Sequence, residues 1–540
     1  MDLARLIAAL SDAAAYPASA QVQAVVVRQT HISVVFLAGR YAYKIKKPLN
    51  LGFLDYSTLE RRRDFSEREV RLNRRLAPSI YLGVVPITRN EAGVWMEGDG
   101  EVVEWAVKME RLPDQAMLRE QLRHGRIATD LLENLARRIA AFHAQAESGP
   151  SVAAFARFSV VAENARENFD QSESHVGMTL SRVVFDRLRG LMESAFKELQ
   201  PLIESRAQRG LPRDGHGDLR LDHIYLFPDR PAPLDLVIID CIEFNERFRC
   251  ADPVADMAFL VMDLNRSGLR DLARAFANAY FLASGDWEGR AMLPFYTAYR
   301  AAVRGKVDGM ELAELEVPAV ERSEALVRAR ACWLLALGEL EKPETRPCLV
   351  LVGGLPGAGK TTLARELAEH AGFTVIRSDL VRKELAGVTG GGVAADPFEA
   401  GIYAPEWTER TYAECLRRVE VLLFEGGRVL VDASFPTEAI RRRFLDVAAR
   451  WGVPALLLLC RTDPEIVRSR LGSRRDDASD ADWSIYLQAA KRWEEPGSLT
   501  SGETRTIDTG EGLAATRSAS LAALREFDLF PSEATGQLSA

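Results

Sequence analysis

The feature that most constrains the fold of this chain is the stretch GLPGAGKT at residues 354–361. It follows the apolar run CLVLVGG and precedes a segment with helical periodicity, so it joins a strand to a helix. Glycines in this pattern let the backbone wrap around phosphate oxygens, and the start of the helix adds positive potential. A glycine-rich turn with a chance lysine is the structural alternative. We predict a phosphate-binding loop made of Gly354, Leu355, Pro356, Gly357, Ala358, Gly359, Lys360, Thr361 and Thr362.

Strand and helix patterns alternate from this loop onward. Strands are predicted at 348–353, 373–376, 428–432 and 454–460, and helices at 360–371, 406–424, 437–451 and 463–475. Such alternation is typical of a parallel sheet with helices on both faces. We therefore predict an α/β P-loop NTPase domain at 348–525, a proline-containing linker at 341–347 and a tail at 526–540.

Polar side chains near these strand ends are candidate site residues. Lys360 is expected to reach the outer phosphates of ATP, and the Thr361 hydroxyl to bind Mg²⁺. Asp432 ends the apolar run GRVLVD and is the candidate for a second magnesium ligand. Asp379 follows the second strand and is placed to take a proton from an acceptor hydroxyl. Arg382, one turn later, is a candidate for holding an anionic acceptor. The structural alternatives are a turn cap for Asp432 and a helix cap for Asp379.

Two arginines further along the chain, Arg470 and Arg474, are spaced four residues apart on a predicted helix. Such a pair could cover the phosphates during transfer, or could form a solvated basic face. Together with the phosphate loop, RSDLVR at 377–382 and VDASF at 431–435, the pair makes residues 348–510 resemble a group of P-loop kinases. The group includes polynucleotide kinases, zeta-toxin-like kinases and chloramphenicol phosphotransferase. The resemblance implies phosphoryl transfer from ATP with Asp379 as the base, and it leaves the acceptor open.

A second chemical pattern, HGDLRLDHIY, lies at residues 216–225. Asp218 is placed to orient an acceptor hydroxyl and accept its proton, and kinase-like enzymes carry a metal-binding Asn at the place occupied here by His223. Asp240 ends the apolar run LDLVIID, where the main metal-binding Asp is expected. Upstream, Lys44 on a predicted strand and Glu69 on the following helix have the order of a phosphate-holding pair. Lys46, in the same strand, is the alternative lysine.

These segments resemble the aminoglycoside phosphotransferase family of kinase-like proteins over most of residues 25–330. The motifs that carry the resemblance are HGDLRLDHIY, IIDCIEF and DPVADMAFL, and more weakly REVRLNRRLAP and AAFHA. The resemblance implies an α+β protein-kinase-like fold over 1–340, with ATP phosphates on Lys44 and Glu69 and Mg²⁺ on Asp240. It further implies that Asp256 is a structural anchor for the loop that carries Asp218. The whole arrangement is similar to bacterial proteins described as bifunctional aminoglycoside phosphotransferase/ATP-binding proteins.

The N-terminal half departs from the kinase pattern in two ways. The segment FLAGRYAYK has a single glycine and no G-x-G-x-x-G motif. His223 offers a nitrogen, which Mg²⁺ accepts poorly and Mn²⁺ accepts better. His223 could therefore bind a metal, contact a metal-bound water, or simply support the loop of Asp218. The alternative function is that the N-terminal half is a ligand-sensing or regulatory module that gates the P-loop kinase without chemistry of its own.

Net charge and cysteine pattern limit the functions expected for the chain. The chain has 540 residues, a net charge of −8 and six cysteines with no C-x-x-C pair. We therefore expect a cytoplasmic protein with buried free thiols, no membrane partner and no overall attraction to nucleic acid. A small molecule with a hydroxyl is the expected acceptor. The basic run RRRF at 441–444 keeps a nucleic acid open for the C-terminal domain, and the sequence leaves the oligomeric state open.

Overall fold

The computed structural model describes residues 2–52, 54–125, 127, 129–232, 234–313, 317–387, 402, 404–472 and 482–532. The chain divides into two compact units. The first, here called the N-terminal unit, comprises 1–163, 199–264 and 270–293. The second, here called the P-loop unit, comprises 164–198, 265–269 and 294–540. The P-loop unit thus takes in helical segments that precede the predicted linker.

A six-stranded antiparallel sheet opens the N-terminal unit, in the order β1-β2-β3-β6-β4-β5. Its strands are β1 (Val25–Gln29), β2 (Ser33–Ala38), β3 (Tyr41–Lys46), β4 (Tyr81–Asn90), β5 (Gly93–Met96) and β6 (Glu101–Glu110). The sequence pattern predicts two strands within 30–47, joined by a turn at 38–40. These strands are β2 and β3, and β1 is an additional strand. The connection that precedes β2 is therefore 30–32, and it contains no glycine.

The alternation of β3 fixes where its two lysines lie. Tyr43 and Ile45 belong to the apolar cluster on one face of the sheet, and Ala42 belongs to a different cluster. Because successive side chains of a strand point to opposite faces, Lys44 and Lys46 share the face of Ala42. Val70 of the helix α2 (Leu59–Asn73) packs into the cluster of Ala42 as well, so this helix covers that face.

Short strands and helices complete the first 340 residues. Two antiparallel pairs, β7 with β10 and β8 with β9, lie on either side of the loop at 215–223. The remaining strands are β7 (Arg213–Asp214), β8 (Ile224–Leu226), β9 (Leu236–Ile238) and β10 (Cys250–Ala251). The remaining helices are α1 (Leu3–Leu10), α3 (Leu118–Arg123), α4 (Thr129–Gln145), α5 (Pro150–Ala154), α6 (Phe158–Ser172), α7 (Arg182–Gln208), α8 (Glu246–Arg249), α9 (Pro253–Arg266), α10 (Arg270–Ser284), α11 (Leu293–Glu311) and α12 (Ala319–Leu340).

A five-stranded parallel sheet forms the centre of the P-loop unit. The alternating pattern predicts a parallel sheet and four of its strands, and the fifth, Thr504–Asp508, is additional. The strand order is β12-β13-β11-β14-β15, so the strand before the phosphate loop is central. The strands are β11 (Cys348–Gly353), β12 (Thr374–Arg377), β13 (Arg428–Asp432), β14 (Ala455–Arg461) and β15 (Thr504–Asp508). The helices are α13 (Lys360–Ala371), α14 (Ser378–Leu385), α15 (Pro405–Phe424), α16 (Glu438–Arg450), α17 (Pro464–Gly472), α18 (Trp483–Lys491) and α19 (Leu513–Glu526). In such sheets ligands bind at the carboxyl ends of the strands.

The predicted linker at 341–347 is held by side chains of the P-loop unit. Arg428 donates to the carbonyl oxygens of Pro343 at 2.7 Å and Arg346 at 3.0 Å. Arg187 forms an ion pair with Glu341 and donates to the Thr345 carbonyl at 2.7 Å. The segment is therefore hydrogen-bonded at the carbonyls of Pro343, Thr345 and Arg346, and its role as a linker stays a prediction.

The packed core also extends past the predicted boundary at residue 525. Leu529 is fully buried in the apolar cluster of the parallel sheet, and Phe527 and Phe530 pack against that cluster. Arg428 donates to the Leu529 carbonyl at 2.7 Å. Within the predicted tail, the described residues up to 532 thus include part of the domain core, and residues 533–540 lie outside the described residues.

Candidate functional site

The phosphate loop has the backbone conformation that its glycines permit. Gly354 has φ of +136°, and a Cβ there would lie 2.6 Å from the Cys460 carbonyl oxygen. Gly359 has φ of +87° and lies directly before the helix α13. Lys360 Nζ donates to the Leu355 carbonyl oxygen at 2.9 Å, so its side chain lies back across the loop. The loop is therefore shaped with its lysine directed over it, as phosphate binding requires.

Thr361 and Asp432 meet at the carboxyl end of the sheet. Thr361 Oγ1 donates to Asp432 Oδ2 at 2.7 Å, and Arg377 Nε is 3.6 Å from the same oxygen. The contact follows from topology, because β11 and β13 are parallel neighbours and both end at this edge. A hydroxyl beside a carboxylate is a donor set that fits Mg²⁺.

Asp379 lies in the first turn of the helix α14, at the same edge of the sheet. Burial raises the pKa of the Asp379 carboxyl above its usual value; Lys360 opposes this effect and Asp432 adds to it. These three charged groups therefore interact at one place. A carboxyl with a raised pKa is a stronger base once it is deprotonated.

The predicted arginines have different surroundings. Arg382 is buried and donates to the Ile402 carbonyl at 2.8 Å and to Thr408 Oγ1 at 3.3 Å. Arg470 donates to the Thr509 carbonyl at 2.6 Å, and its Nη1 is 3.5 Å from the place a Cβ on Gly359 would take. Arg470 therefore lies beside the phosphate loop, whereas Arg474 lies outside the described residues.

The basic run at 441–444 does not form a continuous charged surface. Arg441 is fully buried and donates to the carbonyls of Phe435 at 3.0 Å and Glu494 at 2.6 Å. Arg442 and Arg443 are ion-paired with Asp446 and Glu409. Of the three arginines that suggested nucleic-acid binding, one is structural and two are neutralised locally.

In the N-terminal unit, both lysines of β3 reach the buried carboxylate of Glu69. Lys44 Nζ lies 2.9 Å from Glu69 Oε1, and Lys46 Nζ lies 2.7 Å from Glu69 Oε2. Lys46 also pairs with Glu243, which accepts a 2.7 Å hydrogen bond from the Tyr56 hydroxyl. Burial raises the pKa of Glu69, but the two lysines outweigh it and the net pKa is lowered. Both candidate lysines therefore belong to one network.

Lys44 is the lysine that reaches the proposed metal ligand. Its Nζ lies 2.7 Å from Asp240 Oδ1. Asp240 has φ of +65°, an unusual conformation for an aspartate. Burial raises the pKa of Asp240. Lys44 and, to a smaller extent, His223 lower this pKa, and together they outweigh burial, so the net pKa is well below the usual value. Asp240 is therefore ionised at neutral pH.

Asp218, His223 and Asp240 form a cluster whose ligand atoms lie within 4.8 Å of one another. His223 Nε2 is 3.4 Å from Asp240 Oδ2, and His223 Nδ1 is 3.6 Å from Asp218 Oδ2. Two carboxylates and an imidazole nitrogen at these separations are a donor set that fits a divalent cation, and the nitrogen suits Mn²⁺ better than Mg²⁺.

Arg220 is a member of this cluster that the sequence analysis missed. Its Nε lies 2.9 Å from Asp218 Oδ1, and its Nη2 lies 3.0 Å from His223 Nε2. Spacing within HGDLRLDHIY gave no reason to single out Arg220, because only the three-dimensional loop turns its guanidinium back toward position 218.

Asp256 holds the loop that carries these residues. Its carboxylate accepts the backbone N–H groups of His216 at 2.7 Å and Gly217 at 2.8 Å, and His143 Nε2 is 3.1 Å away. Burial raises the pKa of Asp256, but the hydrogen bond and charge of His143 outweigh it, so the net pKa is lowered. The geometry is that of the structural anchor expected at this position.

Comparison with known proteins agrees with this organisation of the C-terminal part. Residues 349–496 match the model of a family described as an AAA domain. Over 498 residues, 91% of this chain, the sequence is 31% identical to "Uncharacterized protein Rv2004c" of Mycobacterium tuberculosis, of which 95% is covered. "Uncharacterized protein Mb2027c" of Mycobacterium bovis gives the same figures. The chain belongs to the family of these mycobacterial proteins. The similarity extends over nearly the whole of each chain.

Three solved structures are similar to about a third of the chain. A gluconokinase from Sinorhizobium meliloti is 18% identical, with 33% of this chain and 93% of that chain covered and a TM-score of 0.26. Kti12 of Chaetomium thermophilum in complex with ADP-AlF3 is 20% identical, with 34% and 100% covered and a TM-score of 0.26. The tunicamycin resistance protein of Deinococcus radiodurans is 22% identical, with 34% and 96% covered and a TM-score of 0.24.

Two further expectations concern the chain as a whole. All six cysteines are buried free thiols. Among the described residues, no helix is both long and apolar enough to cross a membrane.

Proposed function

We propose that the P-loop unit transfers a phosphoryl group from ATP to a hydroxyl of an acceptor molecule. The observation that carries the proposal is the meeting of Thr361 with Asp432, 2.7 Å apart, at the sheet edge where Lys360 and Asp379 also interact. A motor ATPase needs no base for an acceptor hydroxyl, whereas a kinase does.

Each residue has a distinct role in this proposal. The loop backbone and Lys360 bind the ATP phosphates, while Thr361 and Asp432 hold Mg²⁺. The bound Mg²⁺ neutralises charge on the phosphates. Asp379 orients the acceptor hydroxyl and takes its proton, and Arg470 lies where it can stabilise the transferring group.

For the N-terminal unit we propose a second, kinase-like nucleotide site. Lys44, held by Glu69, binds phosphates, and Asp218 takes the proton of a hydroxyl acceptor. Asp240 and His223 hold the divalent cation, with Mn²⁺ accepted at least as well as Mg²⁺. The protein-kinase-like fold belongs to this proposal, and the lysine–glutamate–aspartate contacts at 2.9 and 2.7 Å support it.

The acceptor in both units is proposed to be a small hydroxyl compound in the cytoplasm. For the P-loop unit, the burial of Arg441 and the local pairing of Arg442 and Arg443 weaken the case for a polynucleotide. Arg382 favours an acceptor with an anionic group, since it brings positive charge next to Asp379.

The proposal is tested by a metabolite screen with labelled ATP on the full-length chain. Full-length protein is needed because a cut at residue 340 would remove helices that belong to the P-loop unit. Wild type, Lys360→Ala, Asp218→Asn and the double variant are compared, with the exposed Lys491→Ala and Asp229→Asn as matched controls. Labelled products lost in Lys360→Ala belong to the P-loop unit, and those lost in Asp218→Asn to the N-terminal unit. Unchanged product formation in Lys360→Ala would overturn the first assignment.

The second candidate is that the N-terminal unit senses a ligand and gates the P-loop kinase. The engagement of Asp218 and His223 by Arg220 favours it, because the proposed base is ion-paired in this structure. Turnover that survives in Lys360→Ala and disappears in the double variant would contradict this candidate.

A further inference from the structure

Each proposed cation ligand of the N-terminal unit is already bound by a cationic side chain of the same unit. Lys44 Nζ lies 2.7 Å from Asp240 Oδ1. Arg220 Nε lies 2.9 Å from Asp218 Oδ1, and Arg220 Nη2 lies 3.0 Å from His223 Nε2. The cluster therefore balances its negative charge internally.

The contacts of His223 define which ring nitrogen could bind a metal. Arginine carries only N–H donors, so His223 Nε2 must accept from Arg220 and has no proton. His223 Nδ1 then carries the proton and donates to the Asp218 backbone carbonyl at 2.9 Å. Nε2 is also the ring nitrogen closer to a carboxylate oxygen of Asp240, at 3.4 Å. Nε2, the ring nitrogen without a proton, is therefore the one that could bind a metal ion beside Asp240.

The lone pair of His223 Nε2 can serve one partner at a time. An imidazole nitrogen has one lone pair in the plane of the ring, so it cannot accept from Arg220 and ligate a metal together. The two carboxylates differ from it, because each has two oxygens and about four lone-pair sites and can accept from more than one partner. The contact of Arg220 with His223 is therefore the one that a metal at Nε2 has to break.

We propose that Arg220 is an internal placeholder for the divalent cation, and that metal binding at His223 Nε2 and Asp240 Oδ2 displaces its guanidinium. Asp222 supplies the alternative partner, since its Oδ2 is 3.7 Å from Arg220 Nη1. The exchange keeps the ligands ordered and charge-compensated before the metal arrives. The exchange also lowers the affinity of the site for a metal ion that binds without nucleotide. This inference rests on the cation site that forms part of the proposed function.

The inference is tested by Mn²⁺ titration of the full-length protein without nucleotide, followed by electron paramagnetic resonance. Pulsed measurements detect the nitrogen coupling of an imidazole bound directly to Mn²⁺, so they report on His223 and not on Thr361 or Asp432. We expect Arg220→Gln to bind Mn²⁺ about tenfold more tightly than wild type, because a charge-assisted contact no longer has to be broken. The nitrogen coupling should be present in Arg220→Gln and absent in Arg220→Gln/His223→Asn.

Two further variants separate displacement from a general charge effect. Arg28→Gln removes the exposed partner of Asp114 in the same unit and should leave Mn²⁺ affinity at the wild-type value. Arg220→Lys keeps the charge but lacks the forked guanidinium that reaches both Asp218 and His223. We expect Arg220→Lys to bind Mn²⁺ more tightly than wild type, whereas a pure charge effect predicts no change. Urea unfolding midpoints establish that each variant is folded.

The outcomes distinguish this inference from the proposed function. Equal Mn²⁺ affinity in wild type, Arg220→Gln and Arg220→Lys, or the absence of nitrogen coupling in all of them, would overturn the inference. Phosphoryl transfer that depends on Asp218, together with equal Mn²⁺ affinities, would overturn the inference alone. Tighter Mn²⁺ binding in Arg220→Gln without transfer to any acceptor would overturn the proposed activity and leave the inference standing.

Discussion

Thr361 Oγ1 donates a 2.7 Å hydrogen bond to Asp432 Oδ2 across two neighbouring parallel strands. In Thr361→Val a methyl group replaces the hydroxyl that we propose as a magnesium ligand, and the shape of the side chain is preserved. We expect Mg²⁺-dependent ATP turnover to fall about 100-fold, since the metal neutralises charge during transfer. Steady-state kinetics over a Mg²⁺ series measures the effect. Thr374→Val, an exposed substitution in the same unit, is the control; equal Mg²⁺ dependence in both variants would contradict the assignment.

The raised pKa of Asp379 predicts the direction of the pH dependence of catalysis. A base must be deprotonated, so turnover rises as pH increases through its pKa, and that pKa lies above the ordinary 3.8. We expect the acidic limb of kcat/KM to lie above pH 3.8 and to depend on residue 379. The measurement is a pH profile of wild type, Asp379→Glu and Asp379→Asn. An acidic limb that keeps its position in Asp379→Glu would assign the titration to another group.

Asp256 predicts a pH-dependent contribution to stability. Asp256→Asn weakens the bonds to the His216 and Gly217 N–H groups, and we expect a loss of about 2–4 kcal/mol in the free energy of unfolding. The folded pKa is below the unfolded value of about 3.8. The contribution is therefore fully present above pH 3.8 and is lost as pH falls through the folded pKa.

Urea unfolding of wild type and Asp256→Asn at several pH values measures this contribution. The difference between the two proteins should be largest at neutral pH and should shrink below pH 3.8. Asp229→Asn, at an exposed position, should unfold like wild type at every pH. A difference that stayed constant on acidification would show that Asp256 does not act through its charge.

The contacts of Arg428 with the segment 341–347 predict that a protease cleaves this segment slowly in wild type. The Arg428 guanidinium binds the carbonyls of Pro343 and Arg346, so a glutamate-specific protease should not cut wild type rapidly after Glu344, which lies between them. Arg428→Ala frees these carbonyls, and we expect cleavage there at a higher rate. Limited proteolysis with mass spectrometry gives the cut sites. Arg442→Ala, which loses a surface ion pair only, serves as the control; cleavage at the same rate in wild type would mark the segment as a flexible linker.

Sequence patterns located the P-loop unit well because its signals are local. The strand Cys348–Gly353 and the helix Lys360–Ala371 have the predicted bounds, since an apolar run and a glycine turn delimit them. The contact of Thr361 with Asp432 follows from the parallel order of two neighbouring strands. Long-range relations were not accessible: no local pattern shows that 164–198 packs with the P-loop unit or that Leu529 enters its core.

Part of the proposed N-terminal site could also be predicted, because some of its residues lie in local sequence patterns. Lys44, Glu69 and Asp240 lie on elements that the sequence could place, and the structure brings them within 3 Å of one another in two contacts. Arg220 and Glu243 were missed because their importance depends on which charges the folded loops turn toward one another. The strand β1 was missed as well, so the segment searched for a glycine-rich loop was the connection after β2 and not the one before it.

Calorimetric titration with a non-hydrolysable ATP analogue and Mg²⁺ tests whether one chain holds two separate nucleotide sites. We expect two analogue molecules per full-length chain. Lys360→Ala should remove one of them and Lys44→Met the other, while Lys491→Ala retains both and urea midpoints establish that the variants are folded. A single binding event that is lost in Lys360→Ala and unaffected by Lys44→Met would contradict the account.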